Sequence, residues 1–439
     1  MQLPEPALTL TLPSIHDGTA LACRVYHPLG SSPTTTTTSL SPTSATAAAT
    51  AERWRPGNAA VVAHPYAPLG GSYEDFLVEE VASLLVQKGF VVATFNFRGA
   101  GNSGGKTSWS SRPERDDYAT VAGFLAYYVH HLDMPDSSNS SNSNSNSGSS
   151  SSSSHGVRSA NAEKPRLLLL AGYSYGAMIT SQLPPLPAML APFASAPPAS
   201  TSNAGQVRHA AESLAAQQRG LARGRAARGG LRVGEAGGSS PRKSQDGGNG
   251  GKRRSFSVEE AEEKLRKGVH DLIHKTRHHP KHHQQRDRSP RERSRSRPGL
   301  DPGGAEDTAT KPDGAPRSPP PPPPGDLVVP RAAYVLVSPL QGLVSNLATM
   351  SRSPWGDDPA AEAKLGRCPT LAVFGDHDVF VSAAKLRSWV ARMERAGGGG
   401  SPASAFRGLE VEGAGHFWVE EGVLGRMMDG VGEFVDGLL

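Results

Sequence analysis

Cysteine is almost absent from this sequence, which has two among 439 residues. Cys23 and Cys368 are too few for a disulfide framework and lack the spacing of metal ligands. Long apolar runs are missing too: no stretch reaches the ~20 residues that a membrane-spanning helix needs, and the first residues do not resemble a signal peptide. These absences predict a soluble protein of the cytoplasm or the nucleus, without stable membrane insertion.

Apolar residues are scarce for a chain of this length, at 36%, whereas there are 49 glycines and 37 prolines. The deficit lies in a Thr/Ser/Ala segment near 31–50, a Ser/Asn segment near 137–154, and a Pro/Gly/Arg/Ser region at 184–330. Such compositions bury too little apolar surface to offset the entropy lost on ordering. We therefore predict one α/β core of roughly 250 residues, formed by residues 1–183 and 331–439, with a disordered insert at 184–330.

The positive charge of the chain is concentrated in this insert. Residues 252–297 hold 15 Lys/Arg against 7 Asp/Glu, although the whole chain has a net charge of only +5. The remainder is mildly acidic, so we do not expect a phosphate-binding stripe on the core. Residues 286–297 are Arg/Ser-rich, as in segments that bind RNA or protein partners or act as nuclear signals; a charged linker explains them equally well.

The insert also contains a predicted helix and a run of histidines. Residues 257–276 predict one helix, with a capping box at Ser257 and Glu260 and a single apolar face. A run of histidines begins at His270, but a solvated basic tract explains it better than a zinc site. No metal is therefore predicted.

Short apolar runs alternate with helical patterns along the rest of the chain. Two alternating segments predict a β-hairpin: 8–12 and 20–26. Nearly continuous runs predict strands buried on both faces: 59–63, 90–97, 167–171, 332–337 and 370–374, followed by a last strand at 409–411. Helical patterns occur at 74–88, 116–131, 383–394 and 419–438. This order predicts a mostly parallel sheet with helices on both faces, whose chemistry collects at the carboxyl ends of the strands.

A serine follows the strand at 167–171, in the segment GYSYGA (172–177). The pattern G-x-S-x-G between a strand and a helix holds a serine hydroxyl on a sharp turn at the edge of a sheet. A second match, GNSGG at 101–105, has no helix directly behind Ser103. The context therefore favours Ser174 as a nucleophile.

Two later loops contain the carboxylate and the imidazole that a nucleophilic serine needs. The segment GDHD, after the strand at 370–374, offers Asp376 and Asp378. The segment GAGHF, after the last strand, offers His416 in a tight and partly apolar loop, which suits a general base. The order Ser, Asp, His along the chain is that of the α/β-hydrolases.

The loop HPYAPLGG (64–71) follows the strand at 59–63. In this arrangement one oxyanion N–H comes from that loop and the other from the residue after the nucleophile. Because Pro65 has no N–H, we predict the backbones of Tyr66 and Tyr175 as donors. The alternative is that His64 and Pro65 only shape a turn.

The segments HPYAPLGG, FNFRGAGNSGG, GYSYGA, GDHD and GAGHF, in this order, resemble the α/β-hydrolase superfamily. Within it they are most similar to a group of hydrolases with an HP-type oxyanion loop and an N-F-R-G-x-G-x-S-x-G segment, relatives of dienelactone hydrolases and prolyl-oligopeptidase-like esterases. The resemblance covers about residues 8–183 and 332–438. It implies an α/β-hydrolase fold with an eight-stranded, mostly parallel sheet.

The resemblance also assigns residues. It selects Asp378, at the last position of G-x-x-D, as the acid. It implies that Glu114 and Asp117 pin the loop of Arg98, with a catalytic role for Arg98 as the alternative.

Together these observations predict a serine hydrolase that cleaves an ester, thioester or related acyl bond of a small-molecule substrate through an acyl-Ser174 intermediate, with no cofactor. Two alternatives stay open. The core can be a non-catalytic scaffold whose basic insert binds RNA or protein, or the chain can be a peptidase of the prolyl-oligopeptidase kind.

Overall fold

The computed structural model describes residues 3–28, 57–133, 166–196, 200–229, 327–341, 359–397 and 405–439. Three features predicted from composition lie outside these ranges: the low-complexity segments near 31–50 and 137–154, and the basic segment 252–297 with its helix at 257–276.

The strands of the described residues form one sheet. In chain order they are β1 (Leu8–Pro13), β2 (Ala20–Tyr26), β3 (Ala59–Ala63), β4 (Val91–Phe95), β5 (Leu167–Tyr173), β6 (Arg331–Val337), β7 (Thr370–Gly375) and β8 (Phe406–Val411). Their order across the sheet is β1-β2-β4-β3-β5-β6-β7-β8. The pairs β1/β2 and β2/β4 are antiparallel, and all others are parallel. This confirms the predicted α/β-hydrolase fold with an eight-stranded, mostly parallel sheet.

Helices follow most of the parallel strands. They are α1 (Phe76–Gln87), α2 (Arg112–Leu132), α3 (Tyr175–Gln182), α4 (Leu186–Ala194), α5 (Asn203–Gly229), α6 (Pro359–Arg367), α7 (Ala383–Ala396) and α8 (Val423–Leu438), with a short 3-10 turn at Ala67–Leu69. The four predicted helical patterns correspond to α1, α2, α7 and α8, with ends displaced by a few residues.

The sheet is buried on both faces, as its continuous apolar runs predicted. Val61 and its register partner Leu170 contribute to the core on one face, whereas Val62 and its partner Ala171 contribute to the core on the other. Helices α2, α3 and α7 cover the first face, and α1 and α8 cover the second. Because each fully buried valine or leucine contributes roughly 1.5–3 kcal/mol, this central layer supplies much of the stability.

Two helices lie where the sequence predicted an unpacked insert. Helix α4 buries four apolar side chains and α5 buries a stripe of small ones against α2. Their buried residues are Leu186, Met189, Leu190, Phe193, Ala204, Val207, Ala211 and Ala215. The core therefore continues past residue 183, and the prediction that nothing packs from residue 184 onward is wrong for these helices. Their spacing is helical, but prolines and alanines lower the apparent hydrophobicity of the segment.

Gly123 shows how closely α4 fits onto α2. A Cβ atom at this position would lie 2.3 Å from the ring of Phe193, so the absence of a side chain in α2 makes room for the aromatic ring of α4. The fit is specific to these two helices, because such close packing requires complementary surfaces.

Candidate active site

Ser174 lies between β5 and α3 in a strained backbone conformation, with φ 55° and ψ −113°. Such values cost a non-glycine residue of order 1–3 kcal/mol and persist only where the surroundings enforce them. Here the Ser174 N–H donates to the carbonyl of Val337 on the neighbouring strand, at 2.9 Å. The turn thereby holds the hydroxyl at the carboxyl edge of the sheet.

The glycines on both sides of Ser174 allow this turn to form. A Cβ on Gly172 would lie 2.3 Å from the backbone of Gly176. A Cβ on Gly176 would lie 2.5 Å from the carbonyl oxygen of Ala63 and 2.7 Å from that of His64. The G-x-S-x-G pattern is thus a consequence of backbone segments in contact, and the serine turn rests directly on the loop after β3.

The structure brings Ser174, His416 and Asp378 together in one hydrogen-bonded line. The Ser174 Oγ lies 2.8 Å from Nε2 of His416, and Nδ1 of His416 lies 2.7 Å from Oδ2 of Asp378. Because an ionised carboxylate only accepts hydrogen bonds, Nδ1–H is the donor to Asp378, and Nε2 is left to accept from the serine hydroxyl. All three residues are buried, with His416 only 2% exposed.

Asp378 and Asp376 have different surroundings. Asp378 Oδ1 accepts from the N–H groups of Phe380 and Val381, at 2.8 and 3.1 Å, which leaves Oδ2 directed at the imidazole. Asp376 accepts from the N–H of Gly413, at 2.7 Å, and so joins the loops after β7 and β8. The geometry at the imidazole involves Asp378.

Several residues that the sequence analysis did not identify hold His416 in place. The Tyr173 hydroxyl donates to the His416 carbonyl at 3.1 Å, and the Phe380 ring meets the imidazole edge to face at 4.6 Å. Trp418 Nε1 donates to Ser338 Oγ at 2.9 Å, beside the same loop. Tyr173 lies within G-x-S-x-G, and Trp418 lies two residues after His416 in the sequence. Phe380 and Ser338 approach His416 only when the strands assemble.

His64, at the start of the loop after β3, is fully buried. The Phe97 N–H donates to its Nε2 at 2.9 Å, so Nδ1–H is the donor to the Pro65 carbonyl, at 2.5 Å. Burial lowers the pKa of His64 to about 4, and the imidazole is neutral near pH 7. His64 therefore ties the loop after β3 to the segment after β4.

Tyr66 and Tyr175 approach each other across the site, with ring centroids 5.0 Å apart. Tyr175 is the first residue of α3, so its N–H has no acceptor within the helix. The N–H of Tyr66 has no acceptor among the described residues. Neither N–H group therefore has a backbone acceptor in the part of the chain that the structure describes.

Arg98 is buried in an ion-pair cluster away from the imidazole. Its Nε and Nη2 donate to the two oxygens of Asp117, at 2.9 and 2.7 Å, and Nη1 donates to Asp17 at 2.9 Å. The hydrogen bonds from Arg98 hold the pKa of Asp17 well below its usual range. Asp17, in the hairpin turn, was not singled out from the sequence.

Glu114 meets the loop of Arg98 at another point. It accepts from the N–H and the hydroxyl of Ser108, both at 2.6 Å. Glu114 therefore fixes the far end of the same loop, ten residues beyond Arg98. Ser103, the other G-x-S-x-G serine, is structural as well: its hydroxyl donates to the Asn96 carbonyl at 2.7 Å and accepts from the Ala22 N–H at 2.9 Å.

Among the residues that the structure describes, no group of three or more His, Cys, Asp or Glu side chains has the geometry of a metal site. None of the helices that the structure describes is both long and apolar enough to cross a bilayer.

Comparison with known proteins gives one family and several solved structures. The family described as X-Pro dipeptidyl-peptidase (S15 family) matches residues 17–311, about two thirds of the chain. No curated protein matches. Solved structures with similar folds include XC6422 from Xanthomonas campestris, described as an α/β serine hydrolase without a lid (14% identity, TM-score 0.40, covering 100% of this chain and 98% of that one). Est1E from Butyrivibrio proteoclasticus, solved with ferulic acid, is 10% identical, with a TM-score of 0.40 and 98% of each chain covered.

Proposed function

This chain belongs to the X-Pro dipeptidyl-peptidase (S15) family, and from that membership we propose that it is a serine hydrolase acting on an ester, thioester or related acyl bond through an acyl-Ser174 intermediate. The observation that carries the proposal is the line of hydrogen bonds from Ser174 through His416 to Asp378. A buried serine on a strained turn, in contact with an imidazole that a carboxylate orients, has the parts of an activated nucleophile.

The proposed reaction has two halves. First, Ser174 Oγ forms a bond to the acyl carbon while its proton moves to Nε2 of His416; the bond to the leaving group then breaks, and the leaving group takes that proton. Next, water gives a proton to His416 and attacks the acyl carbon, and the Ser174 ester bond breaks with return of the proton to Oγ. The products are the free acid and an alcohol, thiol or amine.

Two features of the site would lower the barrier. Asp378 keeps the imidazole in the tautomer that accepts the serine proton, and its charge stabilises the imidazolium that follows. The N–H groups of Tyr66 and Tyr175 would donate to the oxygen of the tetrahedral intermediate, where one such donor is typically worth about 10²- to 10³-fold in rate.

The direct test is labelling with an alkyl fluorophosphonate, in which Ser174 Oγ would bond to phosphorus and fluoride would leave. We expect the wild type to be labelled and Ser174→Ala to lose both labelling and at least ~10³-fold of its turnover of an activated ester. The matched control is Ser103→Ala, which removes the hydroxyl of the other G-x-S-x-G match and should still be labelled. Labelling that persists in Ser174→Ala would remove this residue from the mechanism.

The family description favours a second candidate, a peptidase that releases X-Pro dipeptides. The same three residues would serve, because an amide is cleaved by the same two acyl-transfer steps. Turnover of an X-Pro anilide, compared with a phenyl ester of a short acyl chain, discriminates between the two. Higher kcat/KM for the anilide, lost in Ser174→Ala, would favour the peptidase.

A further inference from the structure

The loops after β7 and β8 lie side by side next to His416. The His377 N–H donates to the Ala414 carbonyl at 3.0 Å, and the Gly413 N–H donates to Asp376 at 2.7 Å. Each loop also contributes one residue of the hydrogen-bonded line, so the two loops form a single surface at the carboxyl edge of the sheet.

Two aromatic rings of this surface contact the imidazole of His416. The centroid of the Phe380 ring lies 4.6 Å from that of the imidazole, and the centroid of the Phe417 ring lies 5.4 Å from it. The two phenylalanine rings meet each other edge to face, 6.0 Å apart. Both phenylalanines are half-buried, whereas His416 is buried, so they connect the imidazole to the molecular surface.

Two valines extend the apolar surface outward. Val379, directly before Phe380, is 57% exposed, and Val419, two residues after Phe417, is 49% exposed. Of the eight exposed large hydrophobic residues in the described part of the chain, five lie in or directly after loops at the carboxyl edge of the sheet: Leu69, Phe76, Trp109, Val379 and Val419. Such a concentration of exposed apolar side chains at one edge is typical of a binding surface.

The charges of the two loops restrict what can bind there. Segments 376–382 and 412–422 contain no lysine or arginine. They contain five carboxylates: Asp376, Asp378, Glu412, Glu420 and Glu421. An anionic group on this surface would meet charges of its own sign, so the surface suits a neutral apolar group.

The order of proton transfers indicates which part of a substrate lies here. When the leaving group departs, it takes the proton from Nε2 of His416, so its oxygen, sulfur or nitrogen must come within hydrogen-bond reach of that atom. The carbonyl oxygen of the substrate would instead face the backbone N–H groups of Tyr66 and Tyr175. The side chains that contact the imidazole are therefore next to the leaving group.

We propose that Phe380, Phe417, Val379 and Val419 form a subsite for an apolar leaving group, so that the preferred substrates are esters or thioesters of a neutral, apolar alcohol or thiol. This inference rests on the proposed function, because it assigns surroundings to the group that acyl transfer to Ser174 expels. Methylenes of the leaving group that stay out of water in the transition state would raise kcat/KM.

The test compares two isomeric esters, hexyl acetate and ethyl hexanoate, with ethyl acetate. The isomers carry the same four additional methylenes, one on the leaving group and the other on the acyl chain. Because a methylene fully removed from water is worth about fourfold and this surface is open, we expect kcat/KM for hexyl acetate to exceed that for ethyl acetate by about 10-fold. Hexyl acetate should also exceed ethyl hexanoate by at least about threefold, as measured by titration of the released acid. Equal values for the isomers, or a preference for ethyl hexanoate, would overturn the proposal.

Val379→Ser and Val419→Ser, separately and combined, test the named residues. Both side chains are exposed, so the replacements remove no core packing. The double variant should lose about 3- to 5-fold in kcat/KM for hexyl acetate, with less than about twofold change for ethyl acetate. A structural fault would lower the values for both esters, and a double variant that keeps the ratio of the wild type would contradict the assignment.

The matched control is Val329→Ser, because Val329 is 46% exposed but lies just before β6, at the opposite edge of the sheet. It should leave the ratio of hexyl acetate to ethyl acetate unchanged. A wild type that hydrolyses none of the three esters and is not labelled at Ser174 defeats the proposed function, and this inference with it. A wild type that hydrolyses all three without preferring hexyl acetate defeats this inference alone.

Discussion

At the scale of single residues, the two oxygens of the Asp378 carboxylate have different partners and different tasks. Oδ1 accepts from two backbone N–H groups, and Oδ2 receives the Nδ1–H of His416. The backbone bonds orient the side chain before any substrate arrives. The charge and the direction of Oδ2 then decide which nitrogen of His416 is free to take a proton.

Asp378→Asn should separate these tasks. The amide oxygen can still accept from the backbone, but its NH₂ would face Nδ1, which must then become the acceptor, and the proton moves to Nε2. The wrong tautomer cannot accept the Ser174 proton, so we expect kcat/KM for an activated ester to fall about 10²- to 10⁴-fold with little change in melting temperature. The control, Asp376→Asn, should stay within a few-fold of the wild type. Equal losses in the two variants would contradict the assignment of Asp378.

Some residues of the site could be identified from the short sequence motif around them, and others could not. Ser174, Asp378 and His416 each sit in a short motif directly after a predicted strand, and the structure brings the three side chains together. Asp17 and Ser338 carry no such motif. Their importance depends on partners more than 75 positions away in the chain, so no local pattern could indicate it.

At the scale of secondary structure, the serine turn and the loop after β3 are in direct backbone contact. The contact occurs at Gly176, which faces the carbonyl oxygens of Ala63 and His64. It aligns the start of α3 with the loop that contains Tyr66. Any side chain at Gly176 must push these two segments apart.

Gly176→Ala should therefore impair both stability and activity. Its Cβ would lie 2.5 Å from a backbone oxygen that cannot rotate away, so we expect a loss of about 1–3 kcal/mol in the free energy of unfolding and at least tenfold slower labelling by the fluorophosphonate. Urea denaturation and the labelling rate measure the two effects.

The matched control is Gly425→Ala in α8, where a Cβ would meet nothing within 4 Å. Alanine favours the helix there, so stability should be unchanged or rise by up to ~1 kcal/mol, with normal labelling. If both glycine variants behaved alike, close packing at Gly176 would not explain the motif.

Strands and helices were predicted correctly from the sequence where their pattern of apolar residues was strong. Continuous apolar runs identified the buried strands, and amphipathic periodicity identified α1, α2, α7 and α8, since both reflect burial directly. Helices α4 and α5 were missed because α4 contains prolines and α5 buries mostly alanines. Their packing depends on α2, including the space left at Gly123.

At the scale of the whole molecule, the boundary of the folded core determines which truncations it tolerates. Helices α4 and α5 cover α2, and Arg219 of α5 donates to the His131 carbonyl at the end of α2. Leu327 lies close to this region, beside Ala126 and Val129 of α2. The chain thus leaves the described core after α5 and returns to it near the end of α2.

Two deletions test this boundary. Replacing residues 230–326 by a flexible Gly/Ser linker should keep the free energy of unfolding within about 1 kcal/mol of the wild type and preserve labelling of Ser174, because their composition cannot supply a packed core. Replacing residues 184–326 removes α4 and α5 as well. It should cost several kcal/mol, since four large side chains of α4 lose their burial at roughly 1.5–3 kcal/mol each. Equal stability of the two proteins would show that α4 and α5 contribute nothing to the core.

By itself, the sequence determined the class of the fold, the order of its strands along the chain, and Ser174 and His416, because each of these leaves a local pattern of apolar spacing or of small residues around a polar one. It left Asp376 and Asp378 as candidates for the acid, between which only the family resemblance chose. Tertiary structure alone decided which strands are neighbours, how far the core extends beyond residue 183, and that Glu114 holds the loop of Arg98 through Ser108. Those are contacts between segments far apart in the chain. They follow from the packing of the sheet and its helices, which no short stretch of sequence records.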